Sequence, residues 1–152
     1  LLLVLASGCA HNAHERNRIS EGVEQRAPNH KVSALGGTLL GYDYGEFDGG
    51  LFFKNEKNTI YKILSENVVG IYSSKNEIFV FTGVSHLLTN EGAINKIENS
   101  LSAFPKAKKI TNLSGKPYKF FYQKEKRITF MVKEECHAIN FSEPKIITVC
   151  AH

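Results

Sequence analysis

The sequence predicts an all-β fold made of antiparallel four-stranded units, and three observations predict it. The aromatic residues are ten Phe and six Tyr without a Trp, a mixture that favours strands over a helical bundle. Apolar residues fall in short or alternating runs separated by Gly, Asn, Ser and Lys, the signature of strands and turns. The order of those runs then repeats along the chain. With 152 residues, 42% of them hydrophobic and 22% charged, the chain holds about one domain's worth of ordinary globular material.

Taken from the start, residues 1–8 form an apolar run that shrinks to small residues immediately before Cys9. The run is far shorter than the roughly 20 apolar residues of a spanning helix and is expected to be the tail of a signal peptide. Ala6-Ser7-Gly8-Cys9 resembles the lipobox of bacterial lipoproteins, in which a small residue precedes the cysteine that is lipidated after cleavage. That resemblance implies a mature protein starting at Cys9, held in the cell envelope by acyl chains. Each buried methylene contributes about 0.8 kcal/mol, so several chains anchor stably. Ala10, where an Asp would retain such a protein at the inner membrane, resembles lipoproteins sent to the outer membrane, facing the periplasm. Residues 9–31 are then the lipidated N-terminus and a flexible polar tether, and residues 32–152 the β-sheet domain.

Within that domain the strand-like runs are 38–42, 50–53, 59–64, 68–72, 78–82, 92–97, 109–113, 118–122, 127–132, 137–141 and 145–149. A weak helical pattern covers 98–109 but contains Pro105, which opposes a helix interior. The four runs from 50 to 81 recur in the same order from 92 to 131, and a third copy starts at His137 and stops after two. A period of roughly 40 to 50 residues with four strands per unit matches the blades of a β-propeller. The reading is two complete units plus a fragment, which cannot close a ring of about four to eight blades alone. The stretch 41–51 (Gly-Tyr-Asp-Tyr-Gly-Glu-Phe-Asp-Gly-Gly-Leu), with 66–71, 80–87 and 90–94, also resembles a group of poorly characterised bacterial propeller-like proteins. Its motifs are turn glycines and strand cores, so the likeness implies fold rather than activity.

With Cys9 assigned to lipid, Cys136 and Cys150 are left in an oxidising compartment and can pair only with each other. A three-residue hairpin loop at Ser142, Glu143 and Pro144 would set them directly opposite, at a spacing where a cross-strand disulfide closes.

Few residues suggest chemistry. Asp43, Glu46 and Asp48 place three carboxylates in one glycine-rich loop and form a candidate Ca2+ site, although their order is not that of an EF-hand; no other cofactor is expected. Asp43 and Glu46 are also the only pair that imitates the carboxylates of a glycosidase. His86 adjoins Ser85, but neighbours on a strand point to opposite faces, so they do not make a nucleophile and its base. His11 and His14 lie on the tether without further ligands. Net charge is +4; its lysines alternate with apolar residues as on a solvated sheet face, and no nucleic-acid partner is expected. Adjacent aromatics such as Phe120 and Phe121 should send one ring inward and leave the other for a partner.

The expected function is accordingly that of a membrane-anchored, non-enzymatic protein-binding module of the envelope, in a specific form an inhibitor or immunity protein against a cell-wall hydrolase. The alternatives are an envelope hydrolase using Asp43, Glu46 and His86, and a structural protein that associates with itself through exposed sheet edges.

Overall fold

A computed structural model describes residues 26–45, 49–74, 77–99, 104–124 and 126–149. Among them are twelve strands and no helix: β1 His30–Ala34, β2 Gly37–Tyr42, β3 Gly50–Asn55, β4 Ile60–Leu64, β5 Val68–Ser73, β6 Ile78–His86, β7 Thr89–Glu98, β8 Lys106–Leu113, β9 Pro117–Gln123, β10 Arg127–Val132, β11 Glu135–Asn140 and β12 Ile146–Thr148. They form three four-stranded sheets in chain order, β1 to β4, β5 to β8 and β9 to β12. Every pairing is antiparallel. The all-β, blade-like architecture expected from the sequence is present, and the sheets do not close into a ring.

The frame of the repeat differs from the sequence reading by two strands. Sheet boundaries fall at the β4–β5 and β8–β9 linkers, because β6 and β7 are joined by a two-residue turn and pair continuously from Phe79↔Lys96 to His86↔Thr89. The strands flanking the expected units thereby complete a third sheet. β1 escaped the apolar pattern because it carries only Val32 and Ala34, yet both pack against the first core. It is joined to β2 by Leu35 and Gly36, whose φ values of 56° and 69° are what a tight hairpin turn requires at both central residues. The helical pattern at 98–109 is not realised in the described residues: β7 runs to Glu98, and β8 begins at Lys106, just past Pro105.

The sheets stack face to face. Leu39, Leu51 and Phe53 of the first sheet meet Val68, Ile71, Ile78, Val80 and Ile97 of the second. From the other face of the second sheet, Phe79, Phe81 and Ile94 meet Ile128, Phe130, Val132, Ile139 and Phe141. Adjacent residues of β6 thus serve opposite cores, the period-two consequence of a strand buried on both faces. Tyr72 lies among the rings of Phe81, Phe120 and Tyr122, and burial pushes its phenol up to about 12. β1 lies against β5, and β5 against β9, so the first strand of each sheet lines the inner side of the arc.

A bulge interrupts the third sheet. Thr129 pairs with Phe121 but Met131 with Tyr118, so Phe130 faces two residues, Lys119 and Phe120. Lys119 takes a φ of 50°, the left-handed conformation found at the first residue of such bulges.

Candidate functional site

One rim of the arc gathers Asp43 and His86 of the residues singled out in the sequence. The end of β2, the β4–β5 linker, the end of β6 and the β8–β9 linker meet there. Asn67 in the β4–β5 linker is the organiser: its side-chain oxygen accepts from the Tyr44 N–H at 3.3 Å, and its side-chain N–H donates to the Gly45 carbonyl. Its own carbonyl accepts from the Gly83 N–H at 3.0 Å. Gly49 is required beside it, since a Cβ there would stand 1.7 Å from the Asn67 side-chain oxygen. Lys116 closes the group by donating to Asp43 Oδ2 at 2.8 Å, a link between the first sheet and the start of the third. Its backbone N–H donates to Asn90 Oδ1 at 2.8 Å.

Asp43 is therefore already engaged at both oxygens, because Oδ1 accepts from the Gly45 N–H at 3.3 Å. Glu46 and Asp48, the other members of the expected Ca2+ loop, lie outside the described residues. Among the described residues no group of three His, Cys, Asp or Glu side chains stands close enough to hold a metal. Lys116 and Asn67, the actual partners of the acidic loop, are remote from it in sequence and gave no signal that would have found them.

Beside this hub opens a cleft of about 530 Å³, lined among others by Asn67, Thr82, Gly83, Glu91, Lys109 and Asn112. Its walls mix amide, hydroxyl, carboxylate and glycine backbone with the aliphatic Val84 and Leu113, and Lys109 lies 4.0 Å from Glu66. Thr82 is buried and accepts from the Asn95 side chain at 3.5 Å. His86 sits near the exposed tip of the β6–β7 hairpin, three ladder positions beyond Gly83. It is the last residue of β6 and exposed.

Cys136 is half-buried on β11. His137 pairs with Thr148 and Ile139 with Ile146, and the Val149 N–H donates to the Cys136 carbonyl at 2.8 Å. Val149 therefore stands opposite Cys136. The register is offset by one residue from the one that a three-residue loop would set, with pairing ending at Ile139↔Ile146, and a one-residue shift moves a side chain to the other face. Cys150 lies outside the described residues, as does Cys9.

The outward face of the third sheet is the most exposed apolar surface of any sheet. The register aligns Phe121, Thr129, Ala138 and Ile147 in one row, and Tyr118, Met131, Cys136 and Val149 in the next. Phe121 is 67% exposed, Ile147 43% and Tyr118 39%. Phe120 instead packs into the core with Phe81 and Phe130, the inward and outward division expected of adjacent aromatics.

A scan of family models finds no match, and no curated protein sequence or solved structure matches the chain.

Proposed function

We propose that this chain is an envelope lipoprotein anchored through Cys9, whose domain is a non-enzymatic protein-binding module. One observation carries the binding part: the outward face of the third sheet leaves Tyr118, Phe121 and Ile147 exposed together. Aromatic side chains are enriched in interface cores, Tyr among the hot spots, and exposed apolar patches mark interaction sites. The anchor rests on the likeness of Ala6-Ser7-Gly8-Cys9 to a lipobox, and the finer reading, an inhibitor or immunity protein of a cell-wall hydrolase, on the compartment that the anchor implies.

The test is affinity capture from envelope extract with the full chain and with a Phe121→Lys/Ile147→Lys variant. A stoichiometric protein held by the first and lost by the second is the expected result. No such protein, or equal retention by both, refutes the binding face. For the anchor, Cys9→Ser should release a folded protein from membranes; unchanged association would overturn it. Absence of wall-hydrolase inhibition by the full chain would remove the inhibitor form, and inhibition retained by the Phe121→Lys/Ile147→Lys variant would show that it does not use this face.

A further inference from the structure

We propose that the Leu87–Leu88 tip of the β6–β7 hairpin is a second membrane contact, which rests the domain on a neutral lipid surface with its hub rim facing the bilayer. This deepens the lipid-anchor reading and rests on it.

Leu87 and Leu88 are 90% and 104% exposed, the two most exposed large apolar side chains among the described residues. They are the whole of a two-residue turn, since His86 pairs with Thr89. Leu87 holds a φ of 49°, a conformation that such turns usually fill with Gly, Asn or Asp. Leu35 and Lys133 adopt similar values at the turns after β1 and β10. The leucine at 35 packs against the core and the residue at 133 is charged, so only at 87 is an apolar side chain held out in solvent at this backbone position.

The hairpin is built to project. Its ladder continues for three pairs beyond Gly83↔Gly92; Gly83 is tied to Asn67 and Asn90 to the Lys116 N–H, so the hairpin is braced at the rim and His86↔Thr89 with the two leucines extends past the last of these contacts. The base is rigid: Phe79, Val80, Phe81 and Ile94 are fully buried between the two neighbouring sheets. A stiff support under two apolar side chains loses little freedom when they enter another phase.

Two further observations select lipid over a charged partner. The ten residues from Phe81 to Asn90 include no Asp, Glu, Lys or Arg, so the tip can enter a bilayer interface without carrying a charge into it. On the same rim Lys109 stands beside Glu66 and Lys116 beside Asp43, and Glu91 lines the same cleft, so these groups leave no surplus positive charge to draw the tip to an anionic surface, and a neutral one fits it. In addition, the chain leading from Cys9 reaches the domain at this rim: Tyr44 donates to the Ala27 carbonyl at 3.1 Å, and the Asp43 N–H to Asn29 Oδ1 at 2.8 Å. A tether leaving there lets the rim face the anchor without doubling back around the sheets. Acyl chains with a second, protein-borne contact are the two-signal arrangement that makes membrane attachment stable.

The chain contains no Trp, so Leu88→Trp introduces a single reporter. The full chain carrying it is added to phosphatidylcholine vesicles and to vesicles containing lipids brominated in the acyl chains, with Lys57→Trp, in the turn after β3 on the opposite rim, as control. Expected is a blue shift of the Leu88→Trp emission and its quenching by bromine, with the Lys57→Trp emission unchanged. Leu87→Ser/Leu88→Ser should weaken vesicle partitioning of the Cys9→Ser protein about tenfold or more, from the apolar area it removes. If the lipidated protein sediments with vesicles while neither emission moves, the anchor stands and the tip proposal falls. If Cys9→Ser leaves membrane association in cells unchanged while the Leu88→Trp emission still shifts on vesicles, the anchor reading falls and the tip survives. A shift produced by lipid-free envelope proteins and not by vesicles would assign the tip to a protein pocket and overturn the proposal.

Discussion

The outward faces of the first and third sheets are equivalent positions at the two ends of one stack, yet they are finished differently. On the first sheet Leu40, Tyr42 and Phe52 form a small core of their own with Tyr44 and Ile60. Tyr42 is 2% and Phe52 4% exposed. The residues before β1 fold over this end: Arg26 stacks 5.2 Å above the Tyr44 ring and Tyr44 bonds to Ala27; from β4, Lys62 lies 5.7 Å above Phe52. The cleft that remains on that face, about 1080 Å³, includes Arg26, Lys31 and Lys54 in its lining. Among the described residues none gives the third sheet such a cover over Phe121 and Ile147, which are 67% and 43% exposed. Stacked repeats need a polar cap at an end that meets water. One end of this stack has a cationic cap, and the other presents an apolar surface, which gives the domain a direction.

The comparison can be broken first where its energetic contrast is largest. Phe52→Ala should destabilise the domain by about 3 kcal/mol, as a buried aromatic truncation does; chemical denaturation reads it, and a cost near zero would mean that the first face is as open as the third. A smaller effect is expected at the hub, where Asp43→Asn removes the Lys116 ion pair. Both partners are partly exposed, so the loss should be about 1 kcal/mol or less and shrink with added salt. If the midpoint of unfolding does not move at low salt, the link between the first and third sheets is energetically idle.

The capped end should also carry a specific acid sensitivity. His30 opens β1, and burial holds its imidazole below the ordinary 6.5, partly opposed by Asp43. The unfolded chain then binds a proton that the folded one resists, so this contribution to stability is present above pH 6.5 and is lost as pH falls below it. His30→Gln should flatten that part of the stability profile, measured by thermal melts across the range; an identical slope would dismiss the histidine. The smallest effect is reserved for the open end: Phe121→Ala should change stability by no more than about 0.5 kcal/mol. A loss approaching that of Phe52→Ala would show the face to be a structural element.

Much of this architecture was legible because strands buried on one or two faces leave period-two patterns. Phe120 and Phe121, or Phe52 and Phe53, announce by adjacency that their rings separate. The grouping of strands into sheets was not legible, since apolar runs look the same whether a turn joins them within a sheet or a linker carries the chain to the next. β1 was hidden for a related reason: a short inner strand needs only Val32 and Ala34 to dock. The position opposite Cys136 turned on a one-residue offset in register, which local composition does not set. At the candidate site, the acidic loop was visible as a cluster, but its partners Asn67 and Lys116 are brought to it by the stacking of separate sheets.

The bulge in β9 has a consequence in terms of insertions and deletions. Lys119 is the surplus residue that lets Tyr118 and Phe121 share the outward face although they stand three apart, where a regular strand would oppose them. Removing Lys119 alone would restore an even ladder while leaving Tyr118 across from Met131 and Phe121 across from Thr129. Removing any regular residue between Phe121 and Gln123 would instead invert one side of the strand. Descendants of this sequence can therefore lose a codon at 119 and keep the exposed aromatic surface, whereas the same loss at Tyr122 would turn over one side of the strand.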